Sequence, residues 1–68
     1  MSVETIQDIR RFVRSNPTHP ISPAWDDMLF EMDEWEQDYS FDEFRAEAEE
    51  QACEGNLSSW DLEQLFGG

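Results

Sequence analysis

The sequence contains no lysine and only four arginines, against 17 Asp and Glu residues in a chain of 68. Proteins bind nucleic acid and anionic lipid through Lys and Arg side chains that contact phosphates. A chain with a formal net charge of -13 at pH 7 repels both. The composition therefore argues against direct binding of DNA, RNA or membranes, and it indicates a partner with a positively charged surface.

Cysteine, histidine and long apolar runs are also scarce. The single cysteine, Cys53, cannot form a disulfide within the chain, and one thiol with one histidine, His19, cannot build a structural zinc site. We expect Cys53 to be a small buried thiol and His19 to be exposed. No stretch is long enough to cross a membrane, and the N-terminal residues lack the apolar segment of a signal peptide. We expect a soluble, cytoplasmic protein without a metal or another cofactor.

Sequence signatures of catalysis are missing as well. The chain has no glycine-rich phosphate loop, no pair of histidines and no Ser/His/Asp set. Carboxylates are abundant, but a general acid needs burial or a cleft to raise its pKa, and a chain this short has little room for a cleft. The sequence therefore predicts a binding protein and not an enzyme.

Apolar residues are present at helical spacing. Five Phe, three Trp and one Tyr supply the bulk that a small core needs, and they indicate one domain over residues 1–68. The periodicity predicts helices at about 3–14, 23–37, 41–54 and 60–66, with a stiff, extended connector at 16–23 that holds all three prolines. This pattern predicts an all-α fold, a compact bundle of three main helices plus a short C-terminal helix.

Local signals mark several helix ends. Ser22 and Pro23 match an N-cap and a first helical residue, which would put the two aspartates that follow in the first turn. Ser40 and Glu43 match a capping box, and Gly55 is a typical residue just beyond a helix end.

The helical spacing also predicts which side chains face the core. They are Ile6, Ile9, Val13, Trp25, Met28, Leu29, Met32, Trp35, Tyr39, Phe41, Phe44, Ala48, Ala52, Leu62, Leu65 and Phe66. Arg10, Arg11 and Arg14 fall on the other side of the first helix, where they either complement the helix dipole or dock on the acidic helices of the same molecule. Trp60 points away from the core, so the last helix is either a lid or a ligand for a groove on another protein.

Two rows of carboxylates lie opposite the core faces of the second and third helices. Their members repeat at i, i+4, i+7 and i+11, and the second row follows the first by 16 residues. Like charges at i,i+4 oppose helix formation by about 0.2 to 0.5 kcal/mol per pair, so the rows indicate a use outside folding. Successive carboxylates rise by roughly 5 to 6 Å along the axis, which is comparable with the spacing of phosphates on one nucleic-acid strand. The predicted partner-binding residues are Asp27, Glu31, Glu34, Asp38, Glu43, Glu47, Glu50 and Glu54, with Phe30 as an aromatic side chain among them.

In size, charge and carboxylate pattern over residues 26–54, the chain resembles small acidic anti-defence proteins of phages and plasmids, the antirestriction and anti-CRISPR inhibitors that mimic DNA. The resemblance lies in these features and not in a family motif. It implies an inhibitor in the host cytoplasm whose carboxylates occupy the basic groove of a nucleic-acid-binding protein. Such rows are also typical of a plain solvated face or of a proteome adapted to high salt. Phe30 is also typical of an acidic adaptor, antitoxin-like or transcription-modulating, that docks through exposed aromatic residues.

Overall fold

The computed structural model describes residues 3–67. Its helices are α1 (Ile6–Ser15), α2 (Ser22–Glu34), α3 (Phe41–Cys53) and α4 (Ser59–Phe66), and residues 3–67 contain no strand. Each helix packs against the next one in the chain. The all-α fold, with three main helices and a short C-terminal one, agrees with the sequence prediction. None of the four helices is both long and apolar enough to span a membrane.

Capping boxes fix the starts of three helices. In each box an acid three residues after the capping residue accepts the backbone N–H of that residue. At α1 and α4 the capping hydroxyl also accepts a backbone N–H of the first turn, whereas at α3 the N–H of Glu43 donates to the carbonyl of Ser40 at 3.1 Å. The pairs are Thr5 with Asp8, Ser40 with Glu43 and Ser58 with Asp61. The second pair is the predicted one. The first pair places the start of α1 three residues later than the sequence predicts, and Val3 instead donates its backbone N–H to the carbonyl of Leu65 at 2.6 Å.

The start of α2 differs from the prediction. Ile21, and not Ser22, is the N-cap, and it provides no side-chain cap. The Ser22 hydroxyl instead donates a hydrogen bond to the carbonyl of Asn16, which ties the helix to the end of α1. Because α2 already begins at Ser22, Asp26 and Asp27 lie beyond the first turn.

The proline-containing connector folds into turns and is not extended. The N–H of His19 donates to the carbonyl of Asn16 at 3.1 Å, and the N–H of Ser22 donates to the carbonyl of His19 at 3.0 Å. The expectation that His19 is exposed is also wrong, because its ring packs edge-on against Phe12 with 5.0 Å between centroids. Its Nδ1 accepts the N–H of Ile21. Prolines restrict only some dihedrals of the segment, and the turns allow α2 to pack back against α1.

The core is centred on Trp25 and Phe44, which are fully buried. The indole N–H of Trp25 donates to the carbonyl of Phe44 at 3.0 Å, so the polar atom of this large side chain is satisfied. The remaining buried apolar residues are Val3, Ile9, Ile21, Leu29, Ala48, Leu57 and Leu65. Most of these buried residues are among those predicted to face the core. The exceptions are Val3, Ile21 and Leu57, whose burial the helical spacing did not predict.

Because α2 ends earlier than predicted, Trp35 and Tyr39 do not lie on its core-facing side. The helix stops at Glu34, and Trp35 is its C-cap with 74% of its surface exposed, so its predicted burial is wrong. Glu36 follows with a φ of 54°, a left-handed conformation that turns the chain off the helix axis. Tyr39 therefore reaches the core from the connecting segment and not from α2, and its ring packs edge-on against Phe44 with 6.1 Å between centroids.

Cys53 is exposed at the last position of α3, contrary to the expectation of a buried thiol. The neighbouring Ala52 is half-buried and packs against the core. One residue further along a helix is a rotation of about 100°, which carries Cys53 off the buried face.

The 16-residue repeat is not a structural equivalence. Helices α2 and α3 begin at Ser22 and Phe41, so equivalent positions are 41 - 22 = 19 residues apart. The buried residues of the two helices follow the offset of 19 residues. Trp25 in α2 corresponds to Phe44 in α3, and Leu29 corresponds to Ala48.

Candidate partner-binding surface

The row of carboxylates on α2 persists within the helix. Asp27, Glu31 and Glu34 are exposed and lie on one side of α2. Asp38 does not belong to this row, because the helix ends before it and Asp38 is exposed in the segment 35–40. The prediction that Asp38 continues the first row of carboxylates on the helix is therefore wrong.

The row on α3 combines free and locally bonded carboxylates. Glu50 is exposed on the helix, and Glu54 is exposed as the C-cap. Glu43 accepts the backbone N–H of Ser40 at 3.3 Å in the capping box. Glu47 is half-buried and accepts a hydrogen bond from the side-chain amide of Gln51 at 3.0 Å. Two members of this row thus also support local structure.

Tyr39 connects the two rows. Its hydroxyl donates to the carboxylate of Glu31 at 2.7 Å. This hydrogen bond raises the pKa of Tyr39 above its ordinary value, and burial and the negative charges of Glu31, Glu43 and Glu47 raise it further. Carboxylates from both helices therefore act on one hydroxyl group. We define the acidic face as Asp27, Glu31, Glu34, Glu43, Glu47, Glu50 and Glu54.

The arginines pair with other acids. The ion pairs of the described residues are Arg10 with Asp33 at 2.9 Å, Arg11 with Asp8 at 3.8 Å and Arg45 with Glu49 at 3.8 Å. Arg10 donates through both terminal nitrogens to Asp33, which docks α1 on α2 and lowers the pKa of Asp33 through these hydrogen bonds. Arg14 lies in the last turn of α1, where it complements the helix dipole. Within residues 3–67, no carboxylate of the acidic face takes part in an ion pair.

Three large apolar side chains are exposed in the described part of the chain. Phe30 is 57% exposed and follows Asp27 by one helical turn, so it borders the acidic face. Trp35 caps the end of α2. Trp60 is 65% exposed on α4, while Leu65 on the same helix is buried. Helix α4 is thus a lid over the core that leaves one tryptophan outside.

An open groove of about 730 Å³ runs between α1 and α2 beside Phe30. We call it the α1–α2 groove. Its apolar lining comes from Val13, Pro17, Pro23, Leu29 and Phe30, and its charged lining from Arg10, Arg14, Asp26 and Asp33. The amino-acid pattern did not predict this groove. The signal available in the sequence was the position of Phe30 away from the core face, but the groove also needs the way in which α1 packs on α2.

No three His, Cys, Asp or Glu side chains among residues 3–67 are arranged to hold a metal ion. The fold and surface define a small all-α protein with an acidic face that spans two helices and with exposed aromatic side chains. No family model, no curated protein and no solved structure matches the chain.

Proposed function

We propose that this protein is an acidic, non-catalytic inhibitor that occupies the basic groove of a nucleic-acid-binding protein with a phosphate-like array of carboxylates. The observation that carries the proposal is the unpaired state of the acidic face. Three of the four arginines pair with acids elsewhere, and the carboxylates on α2 and α3 have no ion pair within residues 3–67. These charges are left for the Lys and Arg side chains of a partner.

The spacing of the carboxylates supports mimicry of a nucleic-acid backbone. Residues one turn apart on α3, such as Glu43, Glu47 and Glu50, rise along the axis by roughly 4.5 to 6 Å per step. Contacts to phosphates supply most of the sequence-independent affinity of nucleic-acid-binding proteins. A surface that satisfies the same Lys and Arg side chains competes for that part of the affinity. An antirestriction or anti-CRISPR role in the cytoplasm of a phage host fits this mode of action.

The exposed aromatic residues support a second candidate, an acidic helical adaptor. Phe30, Trp35 and Trp60 each expose more than half of their surface. Aromatic side chains of this kind are frequent hot spots of protein interfaces. An adaptor would depend on these anchors and would bind without displacing nucleic acid.

The test uses two variants with the same change of charge. Glu34→Gln with Glu50→Gln removes one exposed carboxylate of the acidic face from each of α2 and α3. Glu4→Gln with Glu63→Gln removes two exposed carboxylates outside it. Proteins retained from a host lysate on the immobilised wild-type chain at low salt are identified, and their binding of DNA or RNA is measured with each variant present.

We expect the wild-type chain to displace nucleic acid from the retained protein. Loss of the two acidic-face charges should weaken this competition by roughly tenfold or more, since a hydrogen bond to a charged group contributes about 1.5 to 3 kcal/mol. The control variant should compete nearly as well as wild type. Simultaneous binding of the chain and the nucleic acid, each with undiminished affinity, would contradict mimicry and favour the adaptor.

A further inference from the structure

Phe30 and the α1–α2 groove form one continuous surface. Phe30 lines the groove and is also 57% exposed, while Leu29 beside it is buried in the groove wall. Val13 of α1 and two prolines complete the apolar lining. These groups give the groove a partly apolar lining, on which apolar side chains of a partner could be buried.

The charges around this surface are mostly negative. Arg10 and Asp33 line the groove as an ion pair and contribute no net charge. Asp26 lines it without an ion pair, and Asp27 and Glu34 stand beside Phe30 on α2. Arg14 is the one positive group of the lining that makes no ion pair within residues 3–67. An occupant with positive charges around an apolar anchor therefore matches the surface.

We propose that the α1–α2 groove receives the apolar face of a basic amphipathic helix of the partner. The inference rests on the proposed function, in which the partner is basic, and it adds an apolar anchor that phosphate mimicry alone does not need. A groove between two helices suits a third helix, whose apolar residues recur at i, i+3, i+4 and i+7. The Lys and Arg residues that flank those positions meet Asp26, Asp27 and Glu34.

Charge argues against a second copy of this chain as the occupant. Each molecule carries a formal net charge of -13, so two copies repel each other as a whole. The carboxylates beside Phe30 would also repel the same carboxylates of the second copy. A basic helix would instead be attracted by these carboxylates.

The test uses synthetic peptides as probes. The first is a helical peptide of Leu and Lys with Leu at i, i+3, i+4 and i+7, and the second has the same composition with the Leu positions scrambled. Binding to the full chain is titrated at low and high salt, and amide chemical shifts locate the contact. Phe30→Ala is compared with Trp60→Ala, which truncates a similarly exposed aromatic residue on α4. Circular dichroism verifies that both variants keep their helical content.

The patterned peptide should perturb the amides of Val13, Leu29 and Phe30 and should keep part of its affinity at high salt. Phe30→Ala should weaken that salt-resistant binding about tenfold, as expected for an interface anchor. Trp60→Ala should change it less than about twofold. Arg14→Gln should strengthen binding of the Lys-rich peptide a few-fold, because it removes a like charge from the groove.

Equal binding of the two peptides, with shifts confined to the acidic face, would overturn the groove inference and leave the proposed function in place. Absence of binding by the patterned peptide would overturn it too, while the competition with nucleic acid tests the function separately. Sedimentation of the free chain as a dimer that Phe30→Ala dissociates would assign the groove to a second copy, against the inference.

Discussion

Tyr39 is the residue through which the two acidic rows of the molecule are coupled. Its hydroxyl donates to Glu31, and carboxylates of α3 add to the negative potential there. Because it is the only tyrosine in the chain, the absorbance of tyrosinate reports its ionisation alone. The titration of Tyr39 therefore reports the charges of Glu31, Glu43 and Glu47.

We predict that Glu31→Gln lowers the pKa of Tyr39 toward its ordinary value, since it removes the nearest negative charge. Glu34→Gln on the same helix is the control and should leave the titration almost unchanged, because Glu34 is not among the groups that raise this pKa. The measurement is a spectrophotometric alkaline titration of each folded variant. Equal titration of both variants and the wild type would show that Glu31 does not control the hydroxyl.

The raised pKa also sets the sign of an effect on stability. A group whose pKa is higher in the folded than in the unfolded state stabilises the fold fully below the unfolded value of about 10. That contribution is lost as the pH rises through the folded value. Tyr39→Phe should therefore lose less stability than wild type between neutral and strongly alkaline pH.

At the scale of the helices, the end of α2 contains an unfavourable backbone conformation. Glu36 has a φ of 54°, and a left-handed conformation costs a residue with a Cβ roughly 1 to 2 kcal/mol. Glycine is the usual residue at such a helix end. Glutamate at this position thus stores local strain next to the exposed Trp35.

We predict that Glu36→Gly raises the free energy of unfolding by about 0.5 to 1 kcal/mol relative to Glu36→Gln. Both variants remove the same charge, so their difference isolates the backbone, and the greater freedom of glycine in the unfolded chain reduces the gain. Urea unfolding followed by circular dichroism gives the two values. A glycine variant no more stable than the glutamine variant would mean that the left-handed turn carries no strain.

The same helix end shows how far the sequence could predict the fold. The capping box of Ser40 and Glu43 and the helix-ending Gly55 are local signals, and both are present in the structure. The end of α2 has no such signal, because its apolar periodicity continues through Trp35 to Tyr39. The chain leaves the helix at a residue without local preference for it, and Tyr39 then packs on Phe44. Tertiary contacts decide that boundary.

The candidate site was predictable to a similar extent. The exposed carboxylates of α2 and α3 follow from helical spacing, which explains why Asp27, Glu34 and Glu50 were found. Asp38 was misplaced because its position depends on the end of α2. The groove beside Phe30 depends on how α1 crosses α2, and a one-dimensional pattern contains no information about that crossing.

For the whole molecule, the excess of negative charge opposes compaction. A net charge of -13 is confined within a Cα radius of gyration of 11.2 Å. The Debye length falls from about 30 Å at 0.01 M salt to about 10 Å at 0.1 M, so added salt screens repulsion across the entire fold.

We therefore predict that the melting temperature rises when monovalent salt increases from low to moderate concentration. The reason is that unfolding relieves repulsion between carboxylates, and screening weakens that advantage of the unfolded state. Differential scanning calorimetry at several concentrations of NaCl measures the effect, and a neutral osmolyte serves as the control. A flat or falling melting temperature would mean that the ion pairs of Arg10, Arg11 and Arg45 already offset the repulsion.

The unequal burial of the three tryptophans has an optical consequence. Trp25 is fully buried, whereas Trp35 and Trp60 expose 74% and 65% of their surface on a polyanion. Iodide is repelled by that surface and caesium is attracted to it, so the emission of the outer two indoles should be quenched more by caesium, and less by iodide, than that of a free indole. The emission that caesium does not quench should come mainly from Trp25. If a partner covers Trp35 or Trp60, its binding should reduce the quenching of tryptophan emission by caesium. The measurement needs no label on the protein.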